Sequence, residues 1–123
     1  LRSGKYTQTF RCLADDAGYC CLGVACELYR DTFGSHILKK ETIGSMIYYS
    51  GEEAVLPLRV QKWLGLTSNN GDFERGKKSL SQQNDNGRTF PEIADIIEAN
   101  LAELMPLQLK DALIQSHHLN FGA

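Results

Sequence analysis

Thr89-Phe-Pro-Glu92 constrains this chain more than any other stretch. A threonine followed three residues later by a glutamate forms a capping box, each side chain satisfying a backbone N–H in the first turn of a helix. A proline between them suits that turn, where no intrahelical donor is needed. Behind the box, Phe90, Ile93, Ala94, Ile97, Leu101 and Leu104 recur at helical spacing, while Glu92, Asp95, Glu98 and Glu103 fall elsewhere. The pattern predicts an amphipathic helix over 89–104, ended or kinked at Pro106.

A second amphipathic helix is predicted from Cys21. Its stripe comprises residues 21, 24, 25 and 28, widened by Leu22 and Tyr29, with Gly34 as the stop. Gly23 inside it costs about 1 kcal/mol against alanine and marks the close approach of a neighbouring backbone or a ligand. Residues 1–4 read as a helix end, with Gly4 as a left-handed stop. Tyr6, Phe10 and Cys12 alternate with polar residues as in a strand, and Gln8 falls on their face. Asp15-Asp-Ala-Gly18 is turn chemistry.

Further on, Met46-Ile-Tyr-Tyr49 reads as a strand, and Pro57 opens a short helix ended by Gly65. Residues 67–77 read as a mobile polar loop and are followed by a short helix near 79–84. Leu107–Leu119 adds a helix with Leu109, Leu113 and Ile114 on one side, suited to subunit contact. The expected fold is therefore α+β, a mainly helical single domain over 1–123 with a small antiparallel sheet. Residues 107–123 are assigned as a C-terminal oligomerisation extension, and a homo-oligomer is expected.

Composition narrows the function classes. A chain of 123 residues supports one core. Its formal charge of −2 disfavours a nucleic-acid polymer as partner, although local cations can grip one small anion. No apolar run approaches the roughly 20 residues of a membrane span, so no membrane partner is expected. The chain opens at Leu1, which suggests a processed or trimmed N-terminus. Cysteines at 12, 20, 21 and 26 match no secreted disulfide framework, so reduced thiols in a cytoplasm are expected.

Catalytic chemistry is poorly signalled. Cys20 or Cys21 at a helix N-terminus has the electrostatics of a nucleophile. A base is also required, and the histidines stand far off in sequence at 36, 117 and 118. Buried cysteines otherwise behave as small hydrophobes. The Cys20-Cys21 and His117-His118 pairs lack the spacing of zinc ligands. Glycine-rich phosphate motifs are missing from the sequence. No catalytic residue, metal ligand or cofactor is predicted.

Binding chemistry is clearer. Asn84, Asp85, Arg88, Thr89 and Phe90 crowd a helix N-terminus, where free amides and the helix dipole favour an anion. The plain alternative is an ordinary Asn-Asp-Asn-Gly loop, a capping threonine and a core phenylalanine. Arg2, Lys5, Tyr6, Gln8 and Arg11 form a second polar set. Gln8, on an apolar face, either pairs with backbone or reads a ligand.

Four blocks together resemble a family of short proteins encoded by tailed bacteriophages and prophages. They are Leu1-Arg-Ser-Gly-Lys-Tyr-Thr-Gln8, Cys20-Cys-Leu-Gly-Val-Ala-Cys-Glu-Leu28, Leu56-Pro57 with Trp63-Leu-Gly65, and Asn84-Asp-Asn-Gly-Arg-Thr-Phe-Pro-Glu-Ile-Ala-Asp95. The resemblance spans roughly residues 1–100. Short phage proteins of this kind include sponges that sequester nucleotide immune signals, such as cyclic ADP-ribose isomers or cyclic dinucleotides of Thoeris and CBASS defences. The likeness implies a non-enzymatic protein in the cytoplasm of an infected host, binding a small nucleotide-derived ligand. On that reading Arg2, Arg11 and Arg88 neutralise phosphates and Tyr6 and Phe90 stack on a base. Gln8, Asn84 and Asp85 then hold base edges or ribose. The alternatives are a binder of a host protein, through the helix at 89–104 or the tail, and a nucleotide hydrolase using Asp85 or a histidine.

Overall fold

The computed structural model describes residues 1–106. The described chain is mainly helical with two small antiparallel sheets, so it is an α+β fold. Strand β1 (Ala14–Asp15) precedes helix α1 (Cys21–Phe33), then strands β2 (Lys40–Ile43) and β3 (Met46–Tyr49). Helix α2 (Leu58–Leu64) leads to the two-stranded β4 (Asp72–Phe73) and β5 (Lys78–Ser79). Helices α3 (Leu80–Asp85), α4 (Phe90–Ala99) and α5 (Leu101–Leu104) follow.

The larger sheet has the order β1-β3-β2. Its hairpin pairs Ile43 with Met46 across a two-residue turn whose first residue, Gly44, has φ +63°. Glycine first in such a turn matches the twist of the flanking strands. Ala14 and Asp15 pair with Ile47 and Met46, which carries the chain from the sheet into the turn before α1. In that turn Asp15 Oδ1 accepts the amides of Ala17 and Gly18, the local bonding expected of aspartate.

One apolar cluster runs from Leu13 to Leu104 and includes the fully buried Val24, Cys26, Tyr49, Val60 and Ile93. Helix α1 is its centre. Gly23 stands where an added Cβ would lie 1.8 Å from the Leu13 carbonyl oxygen, so backbone, not ligand, explains the glycine. The same carbonyl accepts the Cys20 amide at 2.9 Å. Around α1 the stripe is rotated from the expected one: Cys26 is fully buried, whereas Leu28 is 42% exposed. Beside it Glu27 accepts from the Tyr49 hydroxyl at 2.5 Å and pairs with Lys40 at 3.0 Å. Burial alone would raise the Glu27 carboxyl, but Tyr49 and Lys40 outweigh it and the net displacement is downward.

Four expectations need correction. Residues 1–4 form a turn, although Gly4 is left-handed at φ +74°. Residues 6–12 do not form a strand; Gln8 bridges Tyr19, and Arg11 at φ +68° breaks the extended run. Residues 67–77 contain β4 and the whole of its hairpin turn, anchored by the Leu80 amide on the Gly71 carbonyl. The helix over 89–104 is interrupted at Asn100, whose side-chain amide donates to the Ile96 carbonyl at 2.8 Å and competes with the backbone ladder. The helix and subunit contact assigned to 107–123 lie outside the described residues.

Candidate functional site

The N-terminal segment and the α3–α4 connection meet in space, and Asn84 is where they join. At the end of α3 its side chain is fully buried. Its oxygen accepts from Gln8 Nε2 at 2.8 Å and from the Cys21 amide at 3.2 Å. Its nitrogen donates to the Thr9 carbonyl at 2.8 Å and to Asp85 Oδ1 at 3.4 Å. All the hydrogen-bonding capacity of the amide is used. Gln8 completes the junction by donating to the Arg88 carbonyl at 2.8 Å. One buried amide thus ties the N-terminal segment, the first turn of α1 and the end of α3.

Asn84 and Gln8 therefore hold the protein together, leaving Asn84 no capacity for ribose or a base edge. Phe90 needs a similar correction. Its ring is only 6% exposed and belongs to the core, packed there by the first turn of α4, so it offers no stacking face. Tyr6 is half-buried and packs edge-on against Tyr19, with ring centroids 5.4 Å apart. Arg2 lies over α4, bonded to Asp95 at 2.6 Å and Glu98 at 3.0 Å, and is already neutralised.

The capping box is present as the sequence indicates: Thr89 Oγ1 accepts the Glu92 amide and Glu92 Oε1 accepts the Thr89 amide. The anion position at this helix start is thereby filled by the protein's own carboxylate. Backbone and hydroxyl donation from Thr89 hold the Glu92 carboxyl below its usual range. Arg88 reaches toward the same carboxylate at 3.5 Å. A concavity of about 340 Å³ beside it is lined by Lys78, Arg88, Glu74, Glu92 and Asp95 among others. Lys78 pairs with Glu74 there, so its cations already have partners.

The neighbouring groove is different. It encloses about 540 Å³ and is lined by Thr9, Phe10, Arg11, Asp85, Asn86 and Gly87, within the range typical of small-molecule sites. Phe10 is 46% exposed. Arg11 is exposed, and its guanidinium makes no ion pair or hydrogen bond among the described residues. Its backbone is held in the left-handed region while its amide donates to Asp85 Oδ1 at 2.7 Å. That conformation costs about 1–2 kcal/mol in a residue with a Cβ, and the Asp85 carboxylate offsets it with a charge-assisted bond.

Sequence reasoning placed Phe10 on a core-facing strand and missed it as the exposed aromatic. The two phenylalanines have exchanged roles. The polar neighbours of Phe10, Thr9 and Arg11, gave the alternation of a strand, and no residue pattern announces the left-handed arginine that turns the ring outward.

The thiols are structural. Cys20 caps α1, its sulfur accepting the Gly23 amide at 3.4 Å, and all four cysteines are buried and unpaired. Burial pushes the Cys12 and Cys20 thiols up to about 11, and Cys21 and Cys26 are also raised. Burial thus disfavours thiolate at neutral pH. Among the described residues no three His, Cys, Asp or Glu side chains gather as metal ligands do. Nor is any described helix long and apolar enough to cross a membrane.

No curated protein and no solved structure matches the chain. A family model, Domain of unknown function (DUF8296), matches residues 1–101, which span the N-terminal segment, the Asn84 junction and both concavities. The chain belongs to the DUF8296 family.

Proposed function

We propose that the protein binds a small nucleotide-derived ligand, of the cyclic ADP-ribose or cyclic dinucleotide class, in the groove at Phe10, Arg11 and Asp85. The observation that carries this reading is one open groove presenting an exposed aromatic ring, a guanidinium without a partner among the described residues and a carboxylate. The ring suits a base, since stacking contributes about 1–3 kcal/mol per base. Arg11 suits a phosphate, which it can hold through a planar fork of donors. Asp85, already oriented by the Arg11 amide, suits ribose hydroxyls.

Binding without turnover fits this lining better than hydrolysis. Among the described residues Asp85 is the one carboxylate lining the groove and no histidine joins it there, whereas acid–base cleavage needs two positioned proton carriers. We further propose, from the resemblance to phage proteins, that the bound nucleotide is an immune signal withheld from a host defence effector. The protein would then work in the cytoplasm of the infected cell.

A second reading is supported by exposed apolar side chains away from the groove. Leu58 and Ile43 are each 62% exposed, and Leu58 neighbours Arg59 and Lys62 at the start of α2. An exposed leucine beside two cations suits contact with a protein surface better than stacking on a nucleotide base. One experiment separates the readings: incubate the protein with cyclic ADP-ribose isomers and cyclic dinucleotides, follow the thermal shift, then heat and analyse the released nucleotide. Recovery of intact nucleotide after a positive shift supports sequestration. A cleaved product supports hydrolysis, and no shift at high concentration supports the docking patch.

A further inference from the structure

Asp85 is shared by two concavities. One is the groove of Phe10 and Arg11. The other encloses about 440 Å³ and is lined by Asn70, Asp72, Lys77, Ser81 and Gln82 as well as Asp85. The two therefore adjoin, with this carboxylate as their common wall. Its Oδ1 accepts from the Arg11 amide and the Asn84 side chain, while its Oδ2 accepts nothing among the described residues.

The second lining is built on three stretches of backbone. Asp72 lies on β4, Lys77 in the turn before β5, and Ser81 and Gln82 in the first turn of α3. The Ser81 amide donates to the Asn70 carbonyl at 3.2 Å, which ties the loop before β4 to α3. Only main-chain groups of these residues are spent in this way. The side chains of Asn70, Asp72, Lys77, Ser81 and Gln82 make no hydrogen bond or ion pair among the described residues, although Asn70, Asp72 and Ser81 are half-buried. They are the reverse of Asn84, whose capacity is exhausted.

Their chemistry is that of polyol recognition. Carboxylates accept, an ammonium donates, and amides and a hydroxyl do both, which matches sugar hydroxyls that give and take hydrogen bonds. A second base would need a ring face to stack on, and no aromatic side chain lines this concavity. A phosphate is not favoured either. Lys78 is paired with Glu74, and Lys77 stands with the carboxylates Asp72 and Asp85, so the wall carries no cationic surplus.

We infer, building on the nucleotide reading of the groove at Phe10, that the second concavity takes a sugar carried by the same ligand. That ligand has one base on Phe10, phosphate at Arg11 and a further sugar beyond Asp85. It is a sugar nucleotide of the ADP-ribose class rather than a dinucleotide with two bases. Linked groups that fill adjoining subsites gain affinity because the second enters at high effective concentration.

Calorimetric titration of the full chain with AMP, ADP-ribose and cyclic di-AMP tests the assignment. AMP fills the Phe10 groove alone. ADP-ribose should bind at least about tenfold more tightly than either of the others. A Ser81→Ala, Gln82→Ala double variant should lower ADP-ribose to the affinity of AMP and leave AMP itself unchanged. Asp72→Asn, on the hairpin, should act in the same direction, which frees the test from any effect on α3. Equal affinity of the parent for AMP and ADP-ribose, or variants that bind ADP-ribose as the parent does, would overturn the sugar subsite while the nucleotide reading stands. Tighter binding of cyclic di-AMP than of ADP-ribose would overturn it as well. Failure of all three probes to bind would remove the nucleotide reading and the subsite with it.

Discussion

The half-buried Gln8 meets the fully buried Asn84 in one junction, while their near neighbours Phe10, Arg11 and Asp85 line an open groove. Both regions are built from the same two stretches of chain and the same kinds of polar residue. They differ in what is left over. In the junction the amide of Asn84 is saturated by protein partners, so it can only organise. In the groove the Arg11 guanidinium has no partner among the described residues and the Phe10 ring is half exposed, which suits them to the recognition proposed. Spare hydrogen-bonding capacity, more than residue type, separates a framework residue from a binding residue.

Asn84→Ala is the most damaging way to break that contrast. It strands the Cys21 amide, the Thr9 carbonyl and the Gln8 side chain together. At about 1–3 kcal/mol for each unsatisfied buried group, partly recovered by water, a loss of about 3–5 kcal/mol is expected in urea unfolding. A loss below about 1 kcal/mol would show that the junction does not tie the fold.

The charged centre at Glu27 sharpens the contrast through pH. Its folded carboxyl lies below the ordinary value of 4.5. The stability it contributes is present above that value and is lost as pH falls through the folded one. Glu27→Gln should cost about 2 kcal/mol near neutral pH, by leaving Lys40 and Arg30 without their shared partner. The variant should also show a flatter acid limb in stability against pH. The Asn84–Gln8 contact is made by neutral amides and should show no such dependence.

Arg11→Gly probes the groove with a smaller effect on folding. Glycine relieves the left-handed strain but gives the unfolded chain more freedom, so stability should stay level or rise by up to about 1 kcal/mol. Nucleotide binding should be lost with the guanidinium. A destabilised variant would mean that the arginine side chain holds the framework. Smallest of all is the expected reactivity of the thiols. With Cys12 and Cys20 pushed up to about 11, the folded protein should resist alkylation by iodoacetamide near neutral pH and react only on unfolding.

Much of the fold could be read from residues in order. The capping box, the helix from Cys21 to Gly34 and the short helix between Pro57 and Gly65 are local, set by caps, stops and periodicity within one turn or two. The segment from Tyr6 to Cys12 was not legible, because its path is decided by bonds to residues far along the chain, Arg11 to Asp85 and Gln8 to Asn84. The candidate site was half legible for the same reason. The two polar sets were recognised and do meet. Which members point inward depends on a left-handed residue and on a buried amide, and neither leaves a periodic trace.

A groove that recognises and a junction that supports should respond differently to a nucleotide. The most direct measurement is the change in backbone amide shifts of labelled protein on titration with a cyclic ADP-ribose isomer or a cyclic dinucleotide. The account predicts saturable changes concentrated at residues 9–11 and 85–87, abolished in Phe10→Ala with the fold intact. Saturable changes centred on the face around Leu58, or none at millimolar nucleotide, would contradict it.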